Sequence, residues 1–323
     1  SNVAPRLLSI LVAGNEEEVF VNIDAEHYHY RDIVFKIYQK VLREHSELKG
    51  YSSTGMVVQA YLRDGYKHLL EIIEFAKERN ICMPLRLVKG AYWDAETIEA
   101  DAHNFLAPEF LNKEETDLHF RQLIDMILSH GEYVQLSVAS HNIQDHCFAE
   151  SLREIRYQSA PRIEHQCLHM TYEALSISLG KMGWAVRNYV PVGSLIVGMA
   201  YLVRRIMENS SQVGVLTIMR SHKSGKSLST PTSVHLDKKE KGNLKREVTS
   251  SHLVKEFFNT APVRMYHKNE RDWVEEDILS FKEKGLSQFY KNPFELNGEK
   301  INVMSSSKPD LLVGSIIFGT KED

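Results

Sequence analysis

"RLVKGAYWDAE", residues 86–96, leaves an apolar strand pattern and then sets an arginine, a lysine, a glycine, two aromatics and two acids side by side. In strand alternation Arg86 and Val88 face one side, and Leu87 and Lys89 face the other. Gly90 lets the backbone come close to a flat or phosphorylated ligand, with Tyr92 and Trp93 available as aromatic walls. Two cations at one strand end point to a binding rim rather than to surface decoration. A lysine in such a place is also a candidate Schiff-base nucleophile, because burial lowers the pKa of an amine.

Outward from that stretch the same pattern repeats. "VFVNIDAE" (19–26), "GMVVQAY" (55–61), "PLRLVKG" (84–90), "YVQLSVASHN" (133–142), "RIEHQCLH" (162–169) and "VRNYVPVG" (186–193) read as strands, each followed by a helix-like segment. In "DGYKHLLEIIEFAKERN" (64–80), Leu69, Leu70, Ile72, Ile73 and Ala76 form the apolar face. Strand then helix, repeated, predicts parallel strands covered by helices. Nearly every run closes on polar or aromatic residues, which fits a (βα)8 barrel with its site at the strands' C-terminal rim; an open doubly wound sheet would gather them at one switch point. The runs supply six strand–helix units, two short of a closed barrel.

Composition sets the outer limits. The chain has 323 residues, 43% hydrophobic and 25% charged, with a formal net charge of −4, so a nucleic-acid partner is not expected. No apolar run reaches the roughly 18 residues of a membrane span and no signal-like leader is seen, so a cytoplasmic protein is expected. Cys82, Cys147 and Cys167 are odd in number and widely spaced, as reduced thiols would be. Residues 213–251, rich in Ser, Lys and Gly over 220–251, read as a flexible linker. Residues 252–323 read as helical stretches followed by extended segments joined by turns.

The strongest chemical constellation is "YLVRRIMEN". Tyr201, Arg204, Arg205 and Glu208 fall at i, i+3, i+4 and i+7 on one helix face, where two guanidiniums make a fork suited to a carboxylate. Taken alone it reads first as an exposed charged face; following "YVPVG", it starts at the barrel mouth, which lowers that reading. His141 and Asn142 end another strand, with no second ligand at a metal spacing. Asp24 either balances the arginines or caps the next helix. Neither GxGxxG nor GxxxxGK[ST] is present, so any flavin must be held in another way.

Taken in order, "NIDAE", "VVQAY", "RLVKGAYWD", "VASHN", "QCLH", "YVPVG" and "YLVRRxxEN" resemble the proline dehydrogenase barrel over about residues 5–212. The "YWD" and "QCLH" variants are similar to those of the bacterial bifunctional proline utilization A (PutA) family. The resemblance implies a TIM-type barrel lacking its first two strand–helix units over residues 1–212, the chain starting partway through it. It also implies an FAD enzyme that oxidises L-proline to 1-pyrroline-5-carboxylate by hydride transfer to flavin N5 and passes electrons to a quinone, allowing peripheral contact with the inner membrane. "SSSKPDLLVGSI" is similar to the connector into an aldehyde dehydrogenase domain, which is expected in a longer protein.

Carried over position by position, Asp24, Tyr92, Tyr189, Tyr201, Arg204 and Arg205 match the proline-binding set, the arginines on the carboxylate and the tyrosines around the ring. Val57, Gln59, Arg86, Val88, Lys89, Gly90, Ala91, Trp93, Ala139, Ser140, His141, Asn142, Gln166, Cys167, Leu168, Glu208 and Ser211 match the FAD set. Arg86 is expected near N5. The rival readings are a class I aldolase-like barrel working through a Schiff base on Lys89, and a barrel fragment without catalysis.

Overall fold

The computed structural model describes residues 3–24, 27–103, 105–169, 173–194, 198–199, 201, 203, 263–284, 298–304, 310, 312–317 and 319. The chain divides into two compact units, 1–261 and 262–323. In the first, α1 (Val3–Glu16), β1 (Val21–Asn22), α2 (Tyr28–Glu44), β2 (Thr54–Gln59), α3 (Gly65–Arg79) and β3 (Met83–Val88) follow one another. Two helices, α4 (Trp93–Ala102) and α5 (Lys113–Ser129), lead to β4 (Val134–Ala139), and then come α6 (Ile143–Arg156), β5 (Glu164–Leu168), α7 (Glu173–Lys181) and β6 (Ala185–Tyr189). The strands form one six-stranded sheet in the order β1 to β6, every pairing parallel. Each of the six expected runs overlaps one of these strands, and β2, β3 and β6 begin one residue earlier than expected.

Register explains how the sheet makes a site. Val57 pairs with Arg86, Arg86 with Ser137, Ala139 with Gln166 and Leu168 with Tyr189, so these side chains share one face. The other face belongs to the core: Met83, Leu85 and Leu87 on β3 are wholly buried against the helices, among Leu69, Ile72, Phe75, Phe120 and Leu123. The sheet curls. Phe20, just before β1, lies under the guanidinium of Arg187 on β6 with 5.0 Å to the ring centroid.

One helix departs in detail from its expected face. In α3, Leu69, Ile72, Ile73 and Ala76 are buried as expected, but Leu70 is 39% exposed while Phe75 and His68 are buried. At 100° per residue Leu70 falls beside the stripe rather than on it. Asn80 ends the helix in the left-handed conformation (φ 51°), its N–H donating to the carbonyls of Ala76 and Lys77, an arrangement that asparagine tolerates.

The second unit contains α8 (Lys268–Lys284) and an antiparallel pair, β7 (Lys300–Met304) and β8 (Leu312–Ile317). Glu270 in the first turn of α8 accepts from the backbone N–H of Arg264 at 2.6 Å and from its Nε at 2.7 Å, fixing the helix start. Among the described residues no helix is long and apolar enough to cross a membrane.

Candidate active site

The inward face of the curled sheet opens at the strands' C-terminal ends into a cavity of about 380 Å³, within the range of small-ligand sites. Each strand end contributes to it. Asp24 follows β1; Val57 and Gln59 end β2; Arg86 and Val88 end β3 and run on into Lys89, Gly90, Ala91 and Tyr92. Ala139, Ser140 and His141 close β4, Gln166, Cys167 and Leu168 close β5, and Tyr189 closes β6, with Tyr201 beyond it. Seventeen of the expected residues thus share one wall.

A polar chain crosses the lumen. Arg187 donates twice to Glu164, at 2.9 and 2.8 Å, and Gln166 donates to the same carboxylate at 2.6 Å. Gln166 in turn accepts from Arg86 Nε at 2.6 Å, while Arg86 Nη1 donates to Asp24 at 3.2 Å. Burial pushes the Glu164 carboxyl up, but its bonds from Arg187 and Gln166 hold it below the usual range. Arg86, with its side chain 12% exposed, is therefore a fixed cation, held from both sides. Tyr189 lies under it at 5.8 Å and stacks with Tyr201, ring centroids 6.0 Å apart at 26°. Tyr92 packs on His27 with centroids 4.1 Å apart.

Lys89 points the opposite way from Arg86, as strand alternation requires. Its ammonium bonds to Asp117 on α5, and lies 3.0 Å from Asp145 on α6. Burial alone would lower its pKa, but Asp145 and Asp117 outweigh that and raise it. A lysine held charged between two carboxylates is a poor Schiff-base nucleophile. It is instead a tie between the rim and two helices, and Lys113 adds to it by donating to Asp117 at 2.9 Å.

Three further expectations change meaning. Gly90 has φ +138°, and a Cβ there would lie 2.2 Å from the ring of Tyr61, so the missing side chain makes room for a neighbouring aromatic and not only for a ligand. Asn142 caps α6, its Oδ1 accepting from the Gln144 N–H at 3.1 Å. Trp93 opens α4, is 42% exposed and donates from Nε1 to the Phe110 carbonyl at 2.9 Å. Neither Asn142 nor Trp93 is part of the cavity wall. Arg204, Arg205, Glu208 and Ser211 lie outside the described residues, as does the linker stretch 220–251.

Sequence reasoning missed the supports. Asp145 stands three residues after the cap Asn142, where an acid at a helix start is a readable signal. Glu96, in the first turn of α4, carried the same kind of signal, whereas Asp117 lies past the first turn of α5 and gave none. Glu96 is 4% exposed and accepts from the backbone N–H of Tyr28 and from the Tyr61 hydroxyl, both at 2.7 Å. That one carboxylate joins the loops after β1, β2 and β3.

Comparison with known proteins bears on this rim. The bifunctional protein PutA of Escherichia coli is 30% identical over 214 residues, which cover 64% of this chain and 16% of that relative. Proline dehydrogenase 1 of Bacillus subtilis is 32% identical over 202 residues, covering 62% of this chain and 58% of the relative. The chain thus spans from about a sixth to just over half of the length of these relatives. The crystal structure of proline utilization A from Bdellovibrio bacteriovorus, inactivated by N-propargylglycine, superimposes with a TM-score of 0.84 at 29% identity, covering 99% of this chain and 33% of that one. The family model described as proline dehydrogenase matches residues 1–217, and the chain belongs to the proline dehydrogenase family.

Proposed function

We propose that this chain forms the flavin-holding and proline-oxidising rim of a proline dehydrogenase, converting L-proline to 1-pyrroline-5-carboxylate. The observation that carries the reading is the convergence of strand-end residues from all six strands on one cavity with a fixed cation, Arg86, in its wall. The donor set suits FAD: Arg86 for an anionic edge, Gln59 for ring polar atoms, and the polar turn Ser140–His141 and the apolar Val57, Val88 and Ala139 for the rest. Bound there, FAD would supply a two-electron acceptor for the hydride that leaves proline C5.

The chain's own residues do the positioning. Arg86 is braced by Gln166 and Asp24, so its charge is already in place where negative charge gathers, with no reorganisation needed at the moment of reaction. Tyr189, Tyr201 and Tyr92 supply aromatic faces that exclude water from a small ring. Arg204 and Arg205 are the proposed clamp for the proline carboxylate, with charge-assisted bonds of about 1.5–3 kcal/mol each. The electrons then pass to a quinone, by way of peripheral contact with a membrane. In the longer protein an aldehyde dehydrogenase domain takes the product.

Against the aldolase-like reading stands Lys89, engaged by two acids. An absorption spectrum of the purified chain tests the proposal: a flavin band that bleaches on adding proline is expected, and its absence even with added FAD would leave the chain as a scaffold. Arg205→Met should raise KM for proline at least tenfold while flavin content stays unchanged.

A further inference from the structure

Behind the strand end that carries Ser140 runs a buried chain of hydrogen bonds that the proposed reaction does not use. His146 on α6 brings Nε2 to 2.8 Å from the carbonyl oxygen of Ser140. Its Nδ1 lies 2.9 Å from Nδ1 of His165 on β5, and His165 Nε2 lies 3.0 Å from Oε1 of Glu150. Both imidazoles are fully buried and Glu150 is 4% exposed. Trp184 stacks on His165 at 4.8 Å, and Arg153 donates to the other oxygen of Glu150 at 2.9 Å.

Counting hydrogens decides the charge. The Ser140 carbonyl only accepts, so His146 carries its hydrogen on Nε2. Of the two facing Nδ1 atoms, one holds a hydrogen and the other accepts it. A third hydrogen must lie between His165 Nε2 and Glu150. Two neutral imidazoles supply two hydrogens, so the chain holds one extra proton. Burial, aided by the neighbouring His165 and His141, pushes His146 down to about 4 against the bond to Ser140 and the charge of Asp145. Burial pushes Glu150 up, but His165 and Arg153 hold it below the usual carboxylate range. The Arg153 guanidinium on the far oxygen of Glu150 favours the ionised carboxylate, so the extra proton is placed on the ring that faces that carboxylate, His165.

We propose that His165 and His146 are positioning residues: an imidazolium on His165, paired with Glu150, orients His146, whose Nε2–H fixes the Ser140 carbonyl and with it the turn that lines the cavity. That turn is short and closely bonded. Ser140 Oγ donates to Asp145 at 2.7 Å and accepts from the Asn142 N–H at 3.0 Å, so a shift of the Ser140 carbonyl moves the turn as a unit. Only the FAD measurement below rests on the proposed function.

The discriminating substitution is Glu150→Gln. A glutamine amide can donate to His165 Nε2 and accept from Arg153, so every bond survives while the extra proton is no longer needed. Glu150→Leu and His165→Phe break the chain. Nitrogen-resolved NMR of the ¹⁵N-histidine-labelled chain at pH 7 should show His165, identified by the signals lost in His165→Phe, as an imidazolium and His146 as an Nε2–H neutral ring. In Glu150→Gln both rings should be neutral, with amide exchange at Asn142 and Asp145 and FAD affinity within about twofold of wild type. Glu150→Leu should speed exchange at those amides and weaken FAD about tenfold, as expected for a lost charge-assisted bond. Two neutral rings in the wild-type chain, or unchanged turn protection in Glu150→Leu, overturns the proposal. Should His165→Phe fail to fold, the Glu150 pair still decides it. If the wild-type chain binds no FAD while NMR and exchange behave as expected, only the functional reading falls.

Discussion

The two faces of β3 belong to one strand and do opposite work. Outward, Met83, Leu85 and Leu87 are fully buried among helix side chains; inward, Arg86 is tied into a polar chain and Val88 borders the cavity. A closed barrel fills its interior with branched aliphatic layers. Here the inner face is polar near the rim, so the helix-side face has to carry the packing. Stability and site chemistry are thereby separated by a single alternation of side chains, and the separation is open to test.

The largest effect is expected outside. Leu87→Ala removes a fully buried side chain and should lower unfolding free energy by about 2–5 kcal/mol in urea titration. FAD affinity measured while the protein is folded should change little; a large loss of affinity would mean that the two faces are not separable. Next comes the inside. Arg86→Met should cut proline-dependent dye reduction by about a hundredfold, the usual scale for a lost preorganised charge, with the melting temperature lowered by only a few degrees. A variant that melts far earlier would make Arg86 a structural residue first.

The third effect concerns pH and sharpens the contrast for polar groups on the helix side. Burial pushes His68, His119 and His146 below the usual 6.5, His146 to about 4. For a histidine with a depressed folded value, the unfolded chain takes up a proton first, so stability falls as pH drops below 6.5 and the loss levels off near the folded value. At pH 5 the loss from His146 alone is about 2 kcal/mol. Urea midpoints at pH 7.5 and pH 5 should show it, and His146→Gln should flatten the slope; an unaltered slope would assign the dependence elsewhere. Asp117, held below the usual 3.8 by Lys89 and Lys113 despite burial, adds a separate loss only as pH falls below that value. The smallest effect is Asn142→Ala, which should cost about 1 kcal/mol as a lost helix cap and leave FAD affinity within twofold.

What the sequence disclosed follows the same division. The alternation of strand-like and helix-like runs located all six strands, because a period of two is imposed by the backbone and survives any tertiary context. The residues ending each strand were legible as a rim for the same reason: a parallel strand in an α/β layer delivers its last side chains to one edge. Partners were not legible. Lys89 shows that it faces away from Arg86, but nothing in "RLVKG" says that Asp117, 28 residues on, and Asp145 will meet its ammonium. Gly90 advertises an unusual backbone, yet whether its vacant Cβ position faces a ligand or the ring of Tyr61 depends on a neighbouring strand. Buried pairs such as His146 with His165 depend on the packing of α6 against β5, which no local pattern encodes.

Glu96 carries a last consequence. Because a single carboxylate bonds the backbone of Tyr28 and the hydroxyl of Tyr61 from the helix that follows Tyr92, three loops distant in the chain share one anchor. Changes made in them cannot be expected to add independently. A library that varied these loops one at a time would misjudge their combinations, and tolerated paths through sequence space should run through coordinated exchanges around residue 96.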